Sequence, residues 1–98
     1  MASPKRLRPS AADCLAGGGK LGVLMRSIDW AATPLGPLAA WPQSLRSAVS
    51  ICLGSRFPIV LYWGPRYVVL YNDAYAEILG KKHPWALGRC CQEVWSEI

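Results

Sequence analysis

With 98 residues, 52% of them hydrophobic and 17% charged, the chain can build one modest core and is too apolar to be disordered along its whole length. The net charge of +5 belongs to the N-terminal half: residues 1–56 hold seven Lys and Arg against Asp13 and Asp29, whereas residues 57–98 are balanced. The four cysteines form no Cys-x-x-Cys pair and His83 is the single histidine, which excludes the common structural zinc patterns and leaves no metal site to propose.

Residues 1–16 read as a flexible tail. Its Lys5, Arg6 and Arg8 could touch nucleic acid or an acidic membrane. They are read as a solvated start instead, with no nucleic-acid partner. No apolar stretch follows them to make an export signal. The longest apolar run, Ile59 to Trp63, is far short of a membrane span, so a cytoplasmic chain with reduced thiols is expected.

Residues 17–56 read as a helical lead-in. Gly17-Gly18-Gly19 breaks the chain before a first helix over about Lys20 to Asp29. There Leu21, Leu24, Met25 and Ile28 fall on one stripe. Thr33-Pro34-Leu35-Gly36-Pro37 forbids helix and predicts turns. A second helix is expected from Trp41-Pro42, with Pro42 at its first position. Its buried stripe is Leu45, Ala48, Val49 and Cys52, and Gly54 is its cap. Met25 and Cys52 are taken as core residues.

From Phe57 the pattern turns to strand. Ile59-Val60-Leu61-Tyr62-Trp63 and Tyr67-Val68-Val69-Leu70-Tyr71 flank Gly64-Pro65-Arg66, which predicts an antiparallel hairpin. Both runs are apolar on both faces, so both faces should be covered. Asn72 or Asp73 then caps a short helix from Ala74 to Leu79, stopped by Gly80. A turn over residues 81–88 and a last helix from about Cys91 complete the chain.

Several motifs fail on inspection. Thr33-Pro34-Leu35 resembles part of a histidine phosphotransfer site, but the phospho-acceptor position four residues earlier is Asp29. Gly19-Lys20 resembles a phosphate loop, yet Cys14 stands where a glycine is required and Leu21 where a hydroxyl must hold Mg²⁺. No acid or serine is placed by the sequence beside His83, so its ring is expected to pack or bond within its own turn. Asp73 and Glu77 share a helix face, but are read as a cap residue and a solvated one.

Trp63-Gly64-Pro65, Tyr71-Asn72-Asp73-Ala74-Tyr75, Leu79-Gly80 and the run from Lys82 to Gly88 resemble the opening of a PAS domain. Asp29-Trp30, the Thr33–Pro37 and Trp41–Arg46 runs, Ser55-Arg56-Phe57-Pro58 and Glu93-Val94-Trp95 resemble the subgroup near the N-terminus of bacterial sensor histidine kinases. The resemblance covers about residues 17–98.

It implies an α+β class and an incomplete PAS fold: N-terminal amphipathic helices, a β-hairpin and short helices. Residues 57–98 would form a partial core with two of the family's five strands. It further implies a sensory or regulatory module of a two-component phosphorelay. This chain would carry no catalytic residue of its own, and the kinase domains would lie downstream in a parent protein.

No cofactor is assigned, and an unknown small molecule could fill a space lined by Val68, Leu70, Tyr75 and Trp95. Flavin photochemistry of the blue-light PAS type is not expected, because Arg89 precedes Cys90 and Gln92-Glu93-Val94 follows Cys91. A ligand-free dimerisation module, built on the two amphipathic helices, is the alternative. Self-association or PAS–PAS dimerisation is the expected partnership, since a lone hairpin has bare edges.

Overall fold

The computed structural model describes residues 14–95. It is an α+β arrangement of four helices and one two-stranded antiparallel hairpin. Helix α1 spans Gly19–Ser27 and α2 spans Gln43–Gly54. Strands β1 (Val60–Trp63) and β2 (Val68–Tyr71) come next, then α3 (Asp73–Leu79) and α4 (Cys91–Val94). Short 3-10 turns at Trp30–Ala32, Leu38–Ala40 and Gly80–Lys82 fill the links. No helix among the described residues is long and apolar enough to cross a membrane. Lys5, Arg6 and Arg8 lie outside the described residues.

Two sequence boundaries move. Cys14 and Leu15, assigned to the tail, are buried in the core, Leu15 almost completely, so a flexible tail cannot extend to residue 16. Pro42 is the N-cap of α2 rather than its first residue, and Gly54 is the last helical residue, with extended Ser55 beyond it. The core joins Leu21 and Met25 of α1, Leu45, Val49 and Leu53 of α2, and all four residues of β2. Trp30 and Trp41 meet edge to face, with ring centroids 5.1 Å apart. Their indole N–H groups donate to Met25 O and Gly36 O, so two large rings are buried without an orphan donor.

The hairpin register pairs Val60 with Tyr71, Leu61 with Leu70, Tyr62 with Val69 and Trp63 with Val68. Alternation therefore gives one face Leu61, Trp63, Val68 and Leu70, and the other Val60, Tyr62, Val69 and Tyr71. The turn needs left-handed backbone at Gly64 (φ 76) and also at Tyr67 (φ 50), whose N–H closes on Gly64 O at 3.0 Å. Tyr67 is the only non-glycine residue with positive φ among those described.

The two strands are covered unequally. β2 is buried throughout. Its far edge is filled by residues 88–91: Val69 N–H donates to Arg89 O, Gly88 N–H to Val69 O and Cys91 N–H to Tyr67 O, all at 2.8–2.9 Å. In the hairpin ladder Leu61 and Trp63 face β2, so the backbone groups of Val60 and Tyr62 point to the outer edge of β1. No described backbone pairs with that edge. Full cover of both strands, expected from their apolar character, is thus met by β2 and not by β1, where Tyr62 is 42% exposed.

Candidate functional site

The two hairpin faces meet different neighbours. Trp63 lines a cleft with Leu45 of α2, which puts the Leu61–Trp63–Val68–Leu70 face toward the lead-in helices. The opposite face meets the helix and loop C-terminal to β2. Tyr71 contacts the Tyr75 ring of α3 at 6.0 Å and the His83 ring at 5.5 Å.

This second face carries the densest chemistry in the described chain. The Tyr71 hydroxyl and His83 Nδ1 are 2.8 Å apart. Which of the two donates depends on the imidazole tautomer; with Nδ1 unprotonated, the phenol donates. Burial pushes the Tyr71 phenol up to about 12. The Tyr75 phenol is also raised, first by burial and then by the adjoining Tyr62 phenol and Cys91 thiol. Tyr62, Tyr75, Tyr71 and His83 thus form a continuous row, with Cys91 beside Tyr75 and the aliphatic Val60 and Val69 on the same strand face. At its margin the Lys82 ammonium lies 5.6 Å from the Trp95 ring centroid.

The four residues expected to line one pocket are divided between the two sides. Val68 and Leu70 belong to the face toward α2 and are buried. Tyr75 stands at the tyrosine row and Trp95 beside Lys82, both half-buried. Choosing the strand residues of the other parity, Val69 and Tyr71, would have matched Tyr75. The parity was open in the sequence because all four β2 residues are apolar or aromatic. The clefts at the turn (Arg66, Tyr67, Trp85), under α1 (Leu15, Met25, Trp30) and between residues 24–34 and 84–93 include none of the four.

The His83 backbone N–H bonds within its own turn, to Gly80 O, but the ring reaches back twelve residues to β2. No disulfide joins the four cysteines. Cys52 is fully buried, its Sγ lies 3.8 Å from Ile59 O, and desolvation pushes it up to about 11, so it is a core thiol and no nucleophile. Cys90 is buried and caps α4: its backbone N–H donates to Glu93 Oε1 at 3.3 Å, and its side chain accepts from the Glu93 backbone N–H. Glu93 also faces Arg89 at 3.7 Å, and Arg89 lies 4.5 Å from the Trp85 ring centroid. No three His, Cys, Asp or Glu side chains among the described residues are grouped to hold a metal ion.

The side chains after β2 hold the site together. Asn72 is the N-cap of α3: its Oδ1 accepts from Tyr75 N–H at 3.1 Å and from Ile59 N–H at 3.2 Å. Its Nδ2 donates to Cys52 O and Phe57 O at 3.0 and 2.8 Å. One buried amide therefore fixes the end of α2, the approach to β1 and the start of α3. Asp73 does not cap its own helix; it accepts from Lys20 and Leu21 N–H at the start of α1. Glu77 is exposed, as expected of a solvated residue. Comparison with family models, with curated proteins and with solved structures finds no match to this chain.

Proposed function

We propose that the chain is the opening part of a PAS-type sensory module, and that its hairpin face bearing Tyr62 and Tyr71, with Tyr75 of α3 beside it, registers the signal. The observation that carries this is the row of phenols and one imidazole where the strand face meets the segments after the hairpin. Such a row offers hydrogen-bond donors and acceptors beside aliphatic surface, which suits a small, partly polar ligand.

The ordered motifs from Trp63 to Gly88 add support, as does the helical lead-in against the other hairpin face. In this reading the parent is a sensor histidine kinase of a two-component phosphorelay, acting in the cytoplasm. The chain itself transfers no phosphate. A change at the tyrosine face leaves through the flanking helices, by shifting a two-state arrangement.

The coding sequence beyond codon 98 tests the parent. Three further strands, a dimerising helix with a phospho-acceptor His and an ATP-binding region are expected there. An immediate stop refutes it. The ligand is tested on the completed domain: a small molecule released by denaturation and seen by mass spectrometry is expected, with its yield reduced in Tyr75→Ala.

A domain that releases nothing favours the second reading, a ligand-free dimerisation module. That reading draws on the open edge of β1 and on Val23 and Ile51, apolar residues of α1 and α2 that are 60% and 69% exposed.

A further inference from the structure

Helix α1 lacks a cap of its own. Its N-cap is Gly18, in the left-handed region with φ 79, and no acidic residue stands in its first turn. Its first amides are met instead from more than fifty residues away. Lys20 N–H donates to Asp73 Oδ2 at 3.1 Å, and Leu21 N–H to Asp73 Oδ1 at 2.7 Å. Both carboxylate oxygens are used, at the positive end of a helix, where a negative charge is favoured. Gly19 makes the approach feasible, because a Cβ there would run into Asp73 Oδ2.

The piece held by this carboxylate has internal bonds of its own, although Trp30 Nε1 also donates to Met25 O. Arg26 Nη1 donates to Leu15 O and Gly17 O at 2.6 and 3.0 Å, binding the preceding segment to the helix. At the other end the helix stops at Ile28, whose backbone is extended. The remainder of the fold is held by different bonds. Asn72 ties α2, β1 and α3 together, and none of its hydrogen bonds goes to α1. Two adjacent side chains thus serve two separable units: Asn72 the hairpin unit, Asp73 the lead-in helix.

We propose that Asp73 is a latch, and that residues 15–27 leave the fold as one piece when its carboxylate lets go, while α2, the hairpin and α3 stay folded. The opening uncovers Leu21 and Met25, which are 1% and 0% exposed when the latch is closed. Asp73 begins α3, next to Asn72 and two residues from Tyr75, so the hairpin exit and the lead-in helix are joined through one group. The latch stands on these contacts alone and does not require the sensory reading.

Amide hydrogen exchange on the full chain tests it. In Asp73→Ala, the amides of residues 22–27 should exchange about tenfold faster or more, the loss expected for a cap. Those of Val68 to Tyr71 should keep their wild-type rate. Asp73→Asn, which retains an oxygen acceptor and drops the charge, should fall between. Equal acceleration in α1 and β2, or none in α1, overturns the latch. Should Asp73→Ala lose protection everywhere, Asp73→Asn decides by the same comparison of α1 with β2.

Discussion

Asn72 is the residue whose replacement should cost the fold most per atom removed. It is 2% exposed and its amide serves five backbone groups in three segments. Losing an N-cap alone costs about 1 kcal/mol. Asn72→Ala also strands the part-buried Ile59 N–H, at about 1–3 kcal/mol for a group left unsatisfied, while the Cys52 carbonyl keeps the Ser55 N–H. The sum is about 2–4 kcal/mol, a large part of the about 5–15 kcal/mol that holds a domain together. Urea unfolding followed by tryptophan fluorescence measures it, and a midpoint shift of about 2 M is expected at a typical slope.

Asn72→Asp separates a hub from a cap. Asp is as good an N-cap as Asn. Here it turns an oxygen toward the carbonyls of Cys52 and Phe57, so it should still cost about 2 kcal/mol or more. If either variant lies within about 1 kcal/mol of the wild type, the hub argument is wrong.

Stability should fall at alkaline pH. Cys52 and Tyr71 ionise from 9.0 and 10.0 when unfolded but only at about 11 and about 12 when folded, so their contribution is whole below pH 9 and lost as pH rises through 11 to 12. A thermal midpoint by circular dichroism that stays flat from pH 8 to 12 contradicts this. Tyr67→Gly relieves a left-handed non-glycine backbone at an exposed side chain and should raise stability by up to about 1 kcal/mol, read from the urea midpoint. The 98-residue chain should be only marginally stable and should self-associate through the outer edge of β1, with Tyr62→Lys reducing the mass seen by light scattering. A cooperative, monomeric unfolding transition of the unaltered chain tells against it.

Local chemistry was legible in the sequence where one residue type has one use. Gly64-Pro65 demanded a turn, and the flanking apolar runs became the paired strands. The Leu21–Met25 spacing located α1, and the Asn72–Gly80 interval located α3. Long-range pairing was not legible. Nothing in Lys82-His83-Pro84 says that the ring reaches β2, because that depends on how the loop returns across the strand. The same return path supplies the backbone of residues 88–91 that fills the far edge of β2, so β2 is buried to a degree its composition shares with β1. Leu15 looked like tail because an isolated leucine before a glycine run carries no period, and its burial follows from Arg26 drawing its carbonyl onto α1.

The Asn72-Asp73 pair, one residue buried and the next exposed, also shows what polar side chains supply in so apolar a chain. Helices α1 and α2 begin at Gly18 and Pro42, neither of which has a side chain able to accept a helix amide. For α2, the N-cap Pro42 has no backbone N–H, which removes one donor from the count. For α1 no such relief exists, and exposed amides would leave the helix frayed at the end nearest the hairpin exit. Placing the missing acceptor on α3 makes formation of α1 conditional on formation of the β2–α3 junction, which in turn requires Asn72 to find Ile59 and Cys52. Order in the lead-in helix is therefore expected to depend on order at the hairpin exit. A chain cut after Ile28 should lack stable helix in α1, whereas a chain beginning at Asp29 should retain the hairpin ladder. Helical circular dichroism and cross-strand NMR contacts between Leu61 and Leu70 distinguish the two, and a stable isolated α1 refutes the dependence.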